Sequence, residues 1–317
     1  MSHNPVAFLF PGQGSQATGM GKELAELYPI ARQTFQEADD ALGFSISKIC
    51  FEGPDEQLKL TENTQPAILT MSTAVARVLR EKGIDPQFAA GHSLGEYSAH
   101  VAAGTLSFTD AVRTVRNRGR YMQEAVPAGE GGMAAILGMT IDQLQQVCAD
   151  AAQGEVVSPA NINSPDQIVI SGNQKAVERA AELAKQRGAK KAVMLVVSAP
   201  FHCALMQPAQ DRLESDLQAL HFSNPEVPVI SNIDASPKTT GEGSRQALVR
   251  QVTGAVQWAK SMQTLIDLGV KVFIEVGPGK VLMGLMRQID RSQTCMITEN
   301  EAALLKVSNL HAAAAKD

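Results

Sequence analysis

The chain has 317 residues, 44% of them hydrophobic and 19% charged, with a net charge of −5. That supplies apolar material for a large core, in one big domain or two smaller ones, and it excludes the strong basic excess of a nucleic-acid binder. No uncharged apolar run approaches the ~18–20 residues of a membrane span, and no basic segment precedes the first apolar stretch, as a signal peptide requires, so a cytoplasmic protein that touches neither nucleic acid nor membrane is expected.

Val6 to Phe10 is a short apolar run ended by Pro11-Gly12, the pattern of a buried strand. Gln65 to Arg80 has helical periodicity and stops before Gly83, and Phe88 to Ala90 reads as a second short strand. Directly after it comes Gly91-His92-Ser93-Leu94-Gly95, a G-x-S-x-G pattern followed by a helix-forming run from Leu94 to Ala103. Strand, sharp turn and helix in this order put a serine hydroxyl on an exposed bend. The glycines let neighbouring backbone pass closely. The serine then sits at a helix N-terminus, where the Leu94 amide can face a developing oxyanion and the helix dipole favours negative charge. The competing reading is a chance glycine-serine turn.

Thr109 to Ala125 is helical by pattern. At about 100° per residue, Arg113, Arg116 and Arg120 share one face with Asn117 and Glu124, a solvated basic face or a docking surface for an acidic partner. Arg118 falls instead amid the apolar residues Ala111, Val115, Met122 and Ala125. An arginine cannot shed its proton to escape burial, so it needs an anion, and its fork matches a carboxylate. Two partners remain open: an internal Asp or Glu, or the free carboxylate of a substrate such as a malonyl group.

From about residue 128 the rhythm changes. Strands are expected at Met133 to Leu137, Val156 to Ile162, Gln167 to Ile170 and Lys191 to Val197, with helices at Ile141 to Ala152 and Gln174 to Arg187. The order β-α-β-β-α-β is that of a ferredoxin-like unit. The Gly129-Glu130-Gly131-Gly132 stretch before it reads as a flexible hinge. The expected architecture is α/β: a large domain of residues 1–127 and 198–317, with further strands at Val229-Ile230 and Val270 to Val276, and an inserted small domain of residues 128–197.

A nucleophilic serine needs a base, and the chain has six histidines. His3 is terminal, His311 lies near the tail, His100 lies a helix length past Ser93, and His92 adjoins the serine in a turn where neighbouring side chains diverge. His202 follows Val197-Ser198-Ala199-Pro200-Phe201, a strand end running into a turn, where α/β proteins place catalytic groups. His221 ends an amphipathic helix and reads as a partner for its dipole. His202 is the better candidate, with a merely packed loop histidine as the alternative. The cysteines, Cys50, Cys148, Cys203 and Cys295, form no C-x-x-C pair and signal neither zinc nor disulfides.

At this point the chain resembles the malonyl-CoA:acyl carrier protein transacylases of fatty acid synthesis over nearly its whole length. The resemblance is carried by Phe10-Pro11-Gly12-Gln13-Gly14-Ser15-Gln16, Thr64-Gln65-Pro66-Ala67, Gly91 to Glu96, Arg118-Gly119 with Met122-Gln123, Asn161 to Pro165, and Glu275 to Gly279. It implies an α/β-hydrolase-like domain with a ferredoxin-like insertion. It implies Ser93 as nucleophile, His202 as base, Arg118 as malonyl carboxylate site, the backbone amides of Gln13 and Leu94 as oxyanion hole, and the Gln251 carbonyl as the group that orients His202. That last role fills a gap, since ordinary α/β hydrolases carry an Asp or Glu there. No metal and no cofactor are implied, coenzyme A entering as a substrate thioester, and the partners are malonyl-CoA and acyl carrier protein, met by a monomer. Phe201 departs from the serine usual in stand-alone bacterial members and is more typical of malonyl-selecting polyketide-synthase domains, so both pathways stay open. A serine thioesterase and a non-catalytic docking module are the rival readings.

Overall fold

The computed structural model describes residues 5–197 and 199–314, with side chains to residue 310. His3, Ser198 and the side chain of His311 lie outside it. Ten strands form two sheets: β1 (Val6–Phe10), β2 (Phe88–Gly91), β3 (Gly131–Leu137), β4 (Val157–Ser164), β5 (Gln167–Asn173), β6 (Lys191–Met194), β7 (Val229–Ile230), β8 (Pro237–Lys238), β9 (Val272–Glu275) and β10 (Thr294–Ile297). The larger sheet runs β10-β9-β1-β2-β7-β8. Its first five strands are parallel and β8 is antiparallel to β7.

The apolar run at β1 follows from its central position. Phe8 and Phe10 pack into one core layer, while Ala7 and Leu9 pack into the layer on the opposite face. Both faces of a parallel sheet are covered, so its strands read as continuous rather than alternating apolar segments. The helix expected from Gln65 starts earlier and spans Thr61–Glu81, with Pro66 inside it. Its first turn hid because it is polar yet buried: Asn63 Nδ2 donates to the Gln57 carbonyl and Thr64 Oγ1 to the Leu58 carbonyl.

The smaller sheet runs β4-β5-β3-β6, every neighbouring pair antiparallel, with the helices Ile141–Ala152 and Gln174–Gln186 on one face around a separate core. Since β1 and β2 precede it and β7 to β10 follow it, the chain leaves the large sheet and returns. Gly131 and Gly132 are strand residues rather than a hinge. A Cβ on Gly131 would lie 2.4 Å from the Pro200 ring, and one on Gly132 2.3 Å from Gln174 Oε1. Close packing, not flexibility, selects glycine there.

The small sheet is fastened along β4. Val256 N–H donates to the Ala160 carbonyl, Ile162 N–H donates back to the Val256 carbonyl, and Ser164 Oγ donates to Gln288 Oε1. All four cysteines are free thiols. Among the described residues no helix is long and apolar enough to cross a membrane, and no cluster of ligating side chains could hold a metal ion.

Candidate active site

The carboxyl ends of β1, β2 and β7 converge, as expected for ligand sites in open parallel sheets. After β2 the chain turns into the helix Leu94–Ala102 with Ser93 at φ 52°, ψ −106°. A side chain rarely adopts that conformation, and only its surroundings hold it. The glycines on either side are obligatory. A Cβ at Gly91 would sit 1.9 Å from the Gly95 carbonyl carbon, and one at Gly95 2.0 Å from the Phe10 carbonyl oxygen. Gly12 is equally constrained, its Cβ position lying 2.4 Å from the His92 carbonyl oxygen. That contact lays the loop carrying Gln13 against the bend.

His202, itself at φ 59°, faces the serine. Its Nε2 lies 2.7 Å from Ser93 Oγ and its Nδ1 2.9 Å from the Gln251 carbonyl oxygen. A carbonyl only accepts, so Nδ1 carries the proton and Nε2 is free to accept from the serine hydroxyl. Burial first, and then the nearby Arg118 charge, push the imidazole down to about 3. Both disfavour the cation, so His202 is a neutral base at physiological pH. The sign is clear: base catalysis is lost only as pH falls through the lowered value. Because kcat/KM reports the free enzyme's ionisations, acyl loading followed from pH 8 to pH 5 is expected to show no acid limb centred at the ordinary histidine value of about 6.5. A half-maximal rate near that value would contradict the geometry.

Arg118 lies on the helix Phe108–Glu124 and is 1% exposed. Among the described residues no carboxylate forms an ion pair with it, which decides against an internal salt bridge. Its Nη1 donates to Gln65 Oε1 at 2.8 Å, and its Nη2 to Gln251 Oε1 at 2.9 Å and to Ser93 Oγ at 3.1 Å. Its guanidinium also lies 5.5 Å from the Tyr97 ring centroid. This buried cation has neutral amides and a hydroxyl as its hydrogen-bond partners, with the buried Glu96 carboxylate one side chain away, and it presents its charge beside the serine hydroxyl.

Ser93, His202, Arg118, Leu94 and Gln13 all line one cleft of about 740 Å³ between the sheets. Its other wall is apolar, from Met133, Val169, Leu195 and Phe201. Leu94 opens its helix, so its N–H has no partner within that helix. Gln251 touches the site from behind.

Of the other described histidines, His92 also lines the cleft, whereas His100 and His221 do not. His92 Nε2 donates to Asn163 Oδ1 at 2.8 Å, a link from the bend to β4. His100 is buried with neither ring nitrogen partnered among the described residues. His221 lines a different cavity, together with Thr105 and Arg80. The basic face read on the arginine helix stays at the surface, with Arg113 and Arg120 exposed and Arg116 half-buried. Arg113 donates to the Ala41 carbonyl, Arg116 stacks over Phe44, and Arg120 lies over Tyr121 and beside Glu124.

Asn232 is a site residue that the sequence reading missed. It accepts the Ser93 N–H at 2.7 Å and donates to the Gly91 carbonyl at 2.7 Å, bracing both sides of the bend. Its signal was its position at the carboxyl end of the strand Val229–Ile230.

This constellation can activate a serine hydroxyl and hold an acid group beside it. The family model described as the acyl transferase domain matches residues 7–306. The chain belongs to the acyl transferase family. It is 52% identical over 307 residues to the malonyl CoA-acyl carrier protein transacylase of Bacillus subtilis, covering 96% of this chain and 97% of that one. It is 50% identical over 299 residues to the Escherichia coli protein of the same name, covering 94% and 97%. The solved transacylase of Coxiella burnetii superposes with a TM-score of 0.95 at 45% identity, covering 96% and 97%. A malonyl-transacylase solved with a type II polyketide acyl-carrier protein gives 0.94 at 44% identity, covering 96% and 99%. The hydrolase-like sheet and the antiparallel insertion are thus the shared acyl transferase architecture.

Proposed function

We propose that the chain transfers a malonyl group from malonyl-CoA to the phosphopantetheine thiol of an acyl carrier protein through a malonyl-serine intermediate. The observation that carries this reading is the buried Arg118 guanidinium, 3.1 Å from the Ser93 hydroxyl and paired with no carboxylate among the described residues. The names of the relatives support the same acyl group and acceptor.

His202 Nε2 takes the Ser93 proton as Oγ attacks the thioester carbon. The Gln13 and Leu94 amides receive the oxyanion, the C–S bond breaks, and the proton on Nε2 passes to the leaving coenzyme A sulfur. The carrier thiol then repeats the sequence in reverse order: it gives its proton to Nε2, attacks the malonyl ester, and Ser93 recovers the proton. A positioned base contributes ~10²–10⁴-fold and one oxyanion donor ~10²–10³-fold. Side chains and backbone supply every group, so we read the reaction as needing no cofactor. We also read the protein as a monomer, since one chain provides the whole site, and as cytoplasmic, in keeping with a chain in which no described helix is long and apolar enough to cross a membrane.

Fatty acid synthesis is the favoured pathway, on the identity to the bacterial transacylases. The likeness to a polyketide malonyl-transacylase keeps a polyketide carrier as the second reading. Incubation with malonyl-CoA should add one malonyl mass to the intact protein, and an acyl carrier protein should remove it. Hydrolysis at the same rate without a carrier would indicate a thioesterase. Absence of any adduct would leave only a carrier-docking module.

A further inference from the structure

Behind the serine, one side chain meets three others. Gln251 Nε2 donates to the Ser93 carbonyl at 2.9 Å and to Glu96 Oε2 at 2.7 Å, while its Oε1 accepts from Arg118 Nη2 at 2.9 Å. Its main-chain carbonyl accepts from His202. Glu96 is completely buried, and its Oε2 also accepts the Asn232 N–H at 3.2 Å. Glu96 lines no part of the cleft and reaches no position that an acyl group could occupy.

An amide side chain has two faces of opposite character, an acceptor and a pair of donors. Turned the other way, Gln251 would set its NH₂ against the Arg118 NH₂ and its oxygen against the Ser93 carbonyl and Glu96 Oε2. Glu96 Oε2 receives an N–H from both Gln251 and Asn232, so it must present an accepting oxygen. That acceptor holds the Gln251 oxygen toward Arg118, and Arg118 is thereby kept aimed at the serine hydroxyl.

We propose that Glu96 is a positioning residue for acyl-group selection: its Oε2 fixes the orientation of the Gln251 amide, and through it the direction of the Arg118 fork. The inference rests on the malonyl reading above. It separates two groups acting on the acyl chain. The Ser93–His202 pair depends on the Gln251 main-chain carbonyl, which a change at Glu96 leaves in place, and the Ser93 bend keeps both side-chain contacts of Asn232, although the Asn232 N–H loses its acceptor. The carboxylate site depends on the Gln251 side chain, which loses its shortest acceptor and keeps the Ser93 carbonyl at 2.9 Å.

The test compares Glu96→Met, which removes the acceptor, with Glu96→Gln, which keeps an accepting oxygen while removing the charge. Single-turnover acylation is measured by intact mass with malonyl-CoA and with acetyl-CoA. A lost hydrogen bond in a buried charged network predicts that Glu96→Met slows malonyl loading about tenfold to a hundredfold while acetyl loading changes by less than about threefold. Glu96→Gln should retain malonyl loading within about threefold. Labelling of Ser93 by a fluorophosphonate, which needs only serine and base, should persist in both. Equal losses for the two acyl groups would overturn the proposal, as would a Glu96→Gln enzyme as impaired as Glu96→Met, or no change in either. If Glu96→Met does not fold, Glu96→Leu, which also removes the acceptor, carries the test with the same malonyl-specific loss expected. Failure of both to fold would assign the network to folding and overturn the proposal. The wild-type protein in the same assay separates the two readings, because absence of its malonyl adduct would sink the malonyl assignment itself.

Discussion

Alanine at position 93 is expected to abolish acylation: incubation of the Ser93→Ala protein with malonyl-CoA should leave its intact mass unchanged. Among the described residues the hydroxyl is the one group within hydrogen-bond reach of both His202 Nε2 and Arg118 Nη2, and none of them replaces it. The four cysteines do not line the cleft, and the adjacent His92 is engaged by Asn163. Loss of the nucleophile from a coupled serine–histidine pair costs on the order of 10⁶-fold in turnover. Alanine keeps a Cβ in the same strained backbone, so the fold should be little altered, with a stability change within about 1 kcal/mol. A covalent adduct on this variant, located by peptide mass mapping, would remove Ser93 from the mechanism.

Arg118→Ala has the second largest expected effect, and it is selective. The guanidinium is the cation that the cleft offers beside Ser93, and a malonyl carboxylate would be desolvated there. Breaking a buried charge pair costs roughly 3–5 kcal/mol, which is about 10²-fold to 4 × 10³-fold at ~1.4 kcal/mol per tenfold. Malonyl-CoA should lose that much in kcat/KM, whereas acetyl-CoA has no acid group to lose and should change by less than about tenfold. The variant should also melt lower, because Gln65 Oε1 and Gln251 Oε1 each forfeit a donor at ~1–3 kcal/mol apiece. Equal losses for the two thioesters would show that Arg118 serves the fold and not the substrate.

Much of this was legible in the chain because the decisive signals are local. The apolar run from Val6 to Phe10, the glycine-flanked Ser93 and the arginine on an apolar helix face each depend on a few neighbouring residues. The two strand–helix rhythms likewise separate the sheets. What stayed hidden depends on contacts between distant segments. Glu96 and Asn232 lie 136 positions apart and meet only in the fold. Asn63 and Thr64 look like a loop in sequence, and buried carbonyl partners make them a helix turn. Gly131 and Gly132 look like a hinge, and the Pro200 ring and the Gln174 side chain explain them instead. On the otherwise exposed arginine face, Arg116 looks merely solvated until the Phe44 ring is placed beneath it.

The backbone at Ser93 has one more consequence. Glycine tolerates φ 52°, ψ −106° far better than any residue with a Cβ. The chain therefore gives up thermal resistance at this position in order to present a hydroxyl there. Ser93→Gly should be inert toward malonyl-CoA and yet unfold at a higher temperature than the native protein, by the relief of about 1 kcal/mol of local strain. Calorimetry on that variant would measure directly how much durability this fold forgoes for reactivity.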